Sequence, residues 1–415
     1  MKVTWLCHFA MVDVCDQYGL QRPSSGGWLE TYKNELSTNP EFELSIICVE
    51  KTKKTETVER FGKNGVSFIL IRAKDCNYFA RFTSFFISAL NNAIDDTKPD
   101  ILHIHGTEFG LPLCIKDEIR EKCRICVSIQ GLISVISQRY YWGGLTFKDL
   151  TLAEYATIWY QYRNALKRGK IEEQIIKDNH YFLGRTEWDK SHLFSLNDKI
   201  HYYFTPEKMR DEFVNGEFWS ANAMERHTIF CGGGCRIPIK GFHQVLKAVA
   251  ILKEKYADVK IKVPGDNPFA SNKLRNNAGY MSYLKREILQ CGLKDTIEFL
   301  GNLSAAGMAE QFRKANCYVM ASSIENSSNT LLESFILGTP SVVSHVGGVM
   351  NWTEHGRNCL LYRFEEYEML ASYVSMIFSD DGFAGAMSVN ARDCMRRYMS
   401  NDCSIGNAYK KIIHD

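Results

Sequence analysis

Ser322-Ser-Ile-Glu-Asn-Ser-Ser-Asn-Thr-Leu-Leu-Glu-Ser-Phe-Ile-Leu-Gly-Thr-Pro-Ser-Val-Val-Ser-His-Val-Gly-Gly348 reads as a strand end, a polar loop, a helix, a Gly-Thr-Pro turn, a buried strand and a Gly-Gly loop. The helix start presents free backbone N–H groups and the positive end of a dipole, an arrangement suited to a diphosphate. Ser327, Ser328 and Asn329 are residue types that cap such a start. Glu325 falls in the loop, where a carboxylate accepts hydrogen bonds from sugar hydroxyls. Glu333 falls one to two turns into the helix, within reach of a ribose.

Outward from this segment, short apolar runs alternate with helical periodicity along the chain. Lys2 to Phe9, Phe42 to Val49, Val66 to Ile71, Ile101 to His105, Ile125 to Gln130 and Tyr181 to Gly184 read as one strand series. Phe79, Phe82, Phe86, Ala89 and Ala93 recur between them at helical spacing, the mark of a helix packed on a sheet. After a polar stretch near Ser220 to His227 a second series follows. It comprises Thr228 to Cys231, Val259 to Val263, Thr296 to Leu300, Cys317 to Ala321, Ser341 to Ser344 and Cys359 to Tyr362. Repeated βα units imply parallel sheets with right-handed crossovers. Two series in 415 residues imply an α/β protein of two Rossmann-like domains, because one hydrophobic core does not grow to that size. Ligands of such sheets bind beyond the carboxyl ends of the strands. The unusual polar residues fall there, at Gly26-Gly27, His105, Gln130 and Glu325, and an interdomain cleft is expected.

Composition excludes several classes. Apolar residues are 45% and charged residues 24% of the chain, and the formal net charge is +2, so nothing favours nucleic acid as a partner. The first residues read as a buried strand rather than a signal peptide, since Asp13 and Asp16 follow at once with no small-residue cleavage site. The longest apolar patches, such as Phe85 to Leu90, are far short of a membrane span. Fourteen cysteines lie mostly in strand-like runs and read as buried reduced thiols of a cytoplasmic protein. Cys123 and Cys126 form a lone CxxC, without the second pair that a zinc site needs.

The segment quoted first resembles the glycosyl transferases group 1 (family GT4), enzymes of the GT-B fold whose signature is E-x7-E followed by G-x-P and V-G-G. Glu325 and Glu333 have that spacing, with Asn326-Ser327-Ser328 where the family often has Gly-Phe-Gly. Phe230-Cys-Gly-Gly-Gly-Cys-Arg-Ile-Pro-Ile-Lys-Gly241 is similar to the family's Gly-rich strand end and basic pair. The resemblance implies that Lys240 holds the diphosphate of the sugar donor, with Arg236 as second cation, although Arg236 sits nearer the lysine than is common. Gly234, Asn329 and Thr330 line the nucleotide site by the same likeness. In the first half, Gly26-Gly27 before Trp28-Leu-Glu-Thr-Tyr resembles a loop facing the donor phosphates. Pro99-Asp-Ile-Leu-His-Ile-His-Gly-Thr-Glu108 resembles a P-D-x-x-H-x-H strand, which makes His105 the active-site histidine. Gln130 stands where relatives often have His. Gly184-Arg-Thr-Glu-Trp-Asp189 is similar to a segment of capsule-type members.

The resemblance implies a GT-B enzyme with parallel sheets facing across a cleft. An acceptor-binding domain spans 1–215 and a nucleotide-sugar-binding domain 226–390, and a helical segment, 391–415, crosses back to the first domain. It implies a retaining, metal-independent transfer from a UDP- or GDP-linked sugar, without any cofactor, to a glycan or lipid-linked acceptor. A bacterial polysaccharide pathway, for capsule or lipopolysaccharide, fits best. No D-x-D triplet, the usual metal-diphosphate signature of the other large glycosyltransferase fold, occurs in the chain. Tyr140, Tyr141, Trp142, Trp159, Tyr160 and Tyr162, with Arg163, Lys167, Arg168 and Lys170, make an aromatic and basic stretch. That combination suits peripheral contact with the inner membrane; core packing beside a solvated helix is the blander reading. The rival readings are a nucleotide-sugar 2-epimerase of the same fold and a non-catalytic sugar-nucleotide-binding scaffold. A dinucleotide oxidoreductase is disfavoured because no G-x-G-x-x-G opens either domain.

Overall fold

The structure is a computed structural model describing residues 1–22, 27–75, 80–267, 269–270, 277–399 and 404–415. The chain divides into two compact units. The first comprises 1–135, 165–208 and 403–415, and the second 136–164 and 209–402.

The first unit is built on an eight-stranded sheet. Its strands are β1 (Lys2–Cys7), β2 (Glu43–Lys51), β3 (Thr57–Lys63), β4 (Val66–Ala73), β5 (Ile101–His105), β6 (Arg124–Ser128), β7 (Tyr181–Gly184) and β8 (His201–Phe204), in the order β3-β4-β2-β1-β5-β6-β7-β8. Every pairing is parallel except β3 with β4. Central strands of such a sheet are covered on both faces and read as continuous apolar runs; all five residues of β5 are buried. The strands β3 and β8 add to the six that the sequence marks. The helix expected around Phe86 spans Ser84–Thr97 and turns Phe86, Leu90, Ala93 and Ile94 inward. Its Thr83 cap accepts from the Phe86 N–H, which fixes its start. Phe79 lies outside the described residues.

The second unit carries six parallel strands. They are β9 (Glu225–Cys231), β10 (Lys260–Val263), β11 (Ile297–Phe299), β12 (Ala315–Met320), β13 (Ser341–Ser344) and β14 (Leu360–Tyr362), in the order β11-β10-β9-β12-β13-β14. One face is covered by Leu246, Val249, Leu284 and Ile377. The other is covered by Phe312, Phe335, Ala391 and Met395. Strand order reverses direction between β9 and β12, and at such a switch point the loops beyond the strand ends part to leave a crevice.

Three boundaries differ from those read in the sequence. Residues 136–164 belong to the second unit rather than to an unbroken 1–215 domain. Their packing explains it: Gly143, at φ 56°, lies against the Pro238 backbone so closely that a Cβ would stand 2.2 Å from its carbonyl oxygen. Arg286 also donates to the Asp149 carbonyl at 2.6 Å and pairs with Glu154. The second unit begins before residue 226, because the chain enters it at Met209 and Trp219 is already buried, donating to the Ala315 carbonyl at 2.7 Å. Finally, the last helical part is split. The helix Asp381–Met399 stays with the second unit, where Ala391 and Met395 are buried. The helix Ile405–His414 belongs to the first, where Tyr409 is fully buried and accepts from the Trp5 indole N–H at 2.9 Å.

The described cysteines are free thiols, with Cys48, Cys126 and Cys317 buried. No described helix is long and apolar enough to cross a membrane.

Candidate active site

Loops beyond β9 and β12 build the site of the second unit. After Cys231 the chain runs through Gly232-Gly233-Gly234 and closes a tight helical turn, Pro238–Lys240. Gly241 ends that turn at φ 65°, and a Cβ there would stand 1.7 Å from the Ala321 carbonyl oxygen, so only glycine fits. This approach brings the β9 loop onto the β12 loop, where the Ser323 N–H donates to the Ile239 carbonyl at 2.7 Å. The result joins the two sequence motifs at one point. Lys240 Nζ lies 2.6 Å from Glu325 Oε1, and the Ser322 hydroxyl donates to the same oxygen at 2.6 Å. The Glu325 carbonyl in turn accepts from Gly348 N–H at 3.0 Å, tying in the Gly-Gly loop after β13.

The helix anticipated after this loop spans Asn329–Leu337, with Ser328 as cap. The Thr330 hydroxyl accepts from the Tyr318 hydroxyl at 2.9 Å. Ser327 Oγ and Asn329 Oδ1 are buried and make no hydrogen bond among the described residues. Buried polar atoms without partners are expensive; the Ser327 hydroxyl can donate to a ligand oxygen, and Asn329 Oδ1 can accept from a ligand hydroxyl. A small cavity opens here, lined by Gly232, Gly233, Lys240, Ser322, Glu325 and Thr330 among others.

Glu333 is buried on the second turn of the helix. Its Oε1 lies 2.5 Å from Arg210 Nη2. Arg210 was not among the residues read as functional, and nothing near it in sequence resembles a motif. Gly234, at φ 98°, lies against the Lys240 side chain. Arg236 is exposed, in the bend between Gly234 and Pro238. Gly26 falls outside the described residues, and Gly27 opens the helix Gly27–Thr38.

In the first unit, His105 ends β5 level with Cys7 of β1 and Ser128 of β6. Its ring is fully buried, 4.6 Å from the Trp5 ring and 3.9 Å from that of His103. Burial drives its pKa well below the ordinary histidine value, with His103 and His8 adding to the effect. The same desolvation takes His103 down to about 3 and His8 to about 4. These rings are therefore neutral at pH 7. The one with solvent access is His8, just beyond β1. Gln130 lies just past β6, half-buried.

A second polar group sits beyond β5 and β6. Glu172, completely buried on the helix Leu152–Asp178, accepts from the Ser134 N–H and hydroxyl, both at 2.7 Å, and from the Thr107 hydroxyl. Burial raises its pKa to about 7, against the lowering effect of those bonds. Glu108 beside it is also raised by burial, although Arg168 and Arg185 pull it down. Arg185, in the Gly184–Asp189 segment, pairs with Glu207 at 2.5 Å. The aromatic stretch divides. Tyr141, Trp142 and Tyr155 pack on the core of the second unit, and Tyr162 meets Tyr141 and Trp142. Trp159 and Tyr160 are exposed.

Two α/β units with parallel sheets of this topology define the GT-B fold, and residues 221–394 match the family described as Glycosyl transferases group 1. Among curated proteins, a D-inositol 3-phosphate glycosyltransferase of Pseudarthrobacter chlorophenolicus is 30% identical over 135 residues, 32% of this chain and 30% of the relative. A mannosylfructose-phosphate synthase of Agrobacterium fabrum is 24% identical over 151 residues, 36% of this chain and 32% of the relative. The match thus spans about a third of the length of each curated relative. Among solved structures, sucrose-phosphate synthase from Thermosynechococcus elongatus shares the fold over 100% of both chains, with TM-score 0.71 and 15% identity. HepE of Anabaena, solved with UDP-glucose, matches 100% of this chain and 98% of its own, with TM-score 0.64 and 11% identity.

Proposed function

We propose that the protein is a retaining glycosyltransferase that moves a sugar from a UDP- or GDP-linked donor to a glycan or lipid-linked acceptor in bacterial polysaccharide biosynthesis, for capsule or lipopolysaccharide. The observation that carries this reading is the Lys240–Glu325 pair beside the N-terminus of the helix Asn329–Leu337, with Ser327 Oγ and Asn329 Oδ1 buried and unpartnered next to it.

In this reading the second unit holds the sugar donor. Lys240, with Arg236 as an exposed second cation, neutralises the diphosphate. Positive charge there stabilises the leaving group as the glycosidic bond breaks. Gly234, Asn329 and Thr330 supply close backbone approach and polar contacts, Glu325 orients the sugar hydroxyls, and Glu333 holds the ribose. The charge of Lys240 and the helix dipole replace a metal ion in this scheme, and no cofactor is required. The first unit binds the acceptor. His105 orients the sugar, a role that requires its buried ring to be uncovered. The exposed Trp159 and Tyr160 make peripheral contact with an inner membrane from the cytoplasmic side.

A panel of nucleotide sugars scored by thermal shift, then by nucleoside diphosphate release with and without acceptor glycans, tests the proposal. A true donor at 100 times its dissociation constant stabilises by about 2.7 kcal/mol. Diphosphate release that rises with acceptor supports transfer. A product that is only the epimerised donor, or binding without any turnover, overturns it.

A further inference from the structure

We infer that Arg210 is a positioning residue for the nucleotide ribose, acting through Glu333 and setting the preference for ribose over 2′-deoxyribose. The inference rests on the ribose role proposed for Glu333. Arg210 itself matches no motif and lies 123 positions from the glutamate in sequence.

Three observations place it. The guanidinium Nη2 lies 2.5 Å from Glu333 Oε1, and the carboxylate side chain is only 6% exposed. A buried carboxylate needs a countercharge close by, and a guanidinium supplies it with fixed geometry. The guanidinium carbon also sits 4.8 Å over the ring of Phe213, which is completely buried. Stacking on that ring gives Arg210 a fixed platform, in contrast to an arginine reaching out from an ordinary surface. Arg210 directly follows Met209, where the chain enters this unit, and its carbonyl accepts from the Phe213 N–H at 3.0 Å at the start of the short helix Asp211–Val214. Its backbone is thereby held as well.

The Arg210 contact to Oε1 restrains rotation of the carboxyl group. A ribose donating its 2′- and 3′-hydroxyls to this carboxylate then meets an acceptor already oriented, so less entropy is lost on binding. A 2′-deoxyribose has one hydroxyl fewer to offer. The discrimination between the two sugars therefore depends on how well the carboxylate is fixed. An arginine that merely formed a surface pair would not distinguish the sugars.

Calorimetric titration of the full chain with UDP and 2′-deoxy-UDP, and with GDP and 2′-deoxy-GDP, tests this. The proteins are wild type, Arg210→Gln, Arg210→Lys, Glu333→Gln and the Arg210→Gln/Glu333→Gln double variant, with circular dichroism confirming their folding. For the base that binds, wild type should prefer ribose by about tenfold or more, the worth of one charge-assisted hydrogen bond. Glu333→Gln should abolish the preference. Arg210→Gln should cut it severalfold, almost wholly by weakening the ribonucleotide. Arg210→Lys should restore part of it, and the double variant should lose nothing beyond Glu333→Gln. If Arg210→Gln leaves the ratio unchanged, or weakens both nucleotides equally while Glu333→Gln still abolishes the preference, the role given to Arg210 is wrong. If Glu333→Gln itself leaves the ratio unchanged, or neither pair binds, the ribose assignment fails and the inference falls with it.

Discussion

Lys240 and Glu325 form an ion pair at 2.6 Å that joins loops 85 positions apart in sequence. Each was assigned by resemblance to a different part of one substrate, the lysine to the diphosphate and the glutamate to the sugar. Under the proposed roles, their direct contact sets the two parts side by side. Either side chain also sets the position of the other. The pair is partly buried, with Glu325 the less exposed partner and Ser322 fixing the same oxygen.

Lys240→Ala is expected to weaken free nucleoside diphosphate by about ten- to a hundredfold, the worth of a charged hydrogen bond. Transfer should slow further, because the leaving group gains charge in the transition state. Calorimetry with the diphosphate and single-turnover rates measure the two effects. Unchanged diphosphate affinity in a folded variant would remove Lys240 from the site.

Glu325→Gln and Glu333→Gln should separate. The first keeps shape but removes the charge facing the sugar. It is expected to cripple transfer while diphosphate affinity stays nearly unchanged, since that ligand has no sugar to lose. The second should weaken both free nucleotide and full donor, by roughly 1–3 kcal/mol. Titration of both variants with both ligands checks this. Loss of nucleotide binding in Glu325→Gln alone would reverse the assigned roles.

Glu172 makes stability depend on pH. Its folded pKa is raised from 4.5 to about 7, so between those values the folded chain holds a proton that the unfolded chain has released. Stability from this group is therefore fullest below the unfolded pKa and falls as pH rises through 7, by about 3 kcal/mol for a shift of this size. Glu172→Gln keeps the neutral form at all pH: its carbonyl can accept from Ser134 while its amide donates to Thr107. The variant should gain stability over wild type at pH 8 and little at pH 4.5. Identical denaturant midpoints for the two proteins across that range would discount the buried-acid account.

Chelators are expected to leave turnover unaffected, since in the proposed scheme Lys240 and the helix N-terminus carry the positive charge that a metal supplies elsewhere. Assays with EDTA, then with added Mg²⁺ or Mn²⁺, measure it. Abolished activity that the ions restore would refute the metal-free scheme.

The central strands β12 and β13 of the second unit were legible because every residue in them is buried and they read as apolar runs. The edge strand β3 was not, for the same physical reason: none of its residues is buried, and Glu59, Arg60 and Lys63 lie along it. A strand held mainly by backbone bonds to β4 leaves little trace in hydrophobic pattern. Likewise β8, only four residues long, has no buried position.

By itself the sequence determined the fold class, the two strand series and the strand–loop–helix order from Ser322 to Leu337, because local spacing and residue type carry that information. It could not determine which groups meet. Only the tertiary structure paired Lys240 with Glu325, set Arg210 on Glu333, drew residues 136–164 against Pro238 and brought Tyr409 to Trp5 across 404 positions. Contacts of that kind depend on where the chain returns after each crossover. Their residue types, a surface-looking Arg or a helical Tyr, are the same whether or not a partner waits for them.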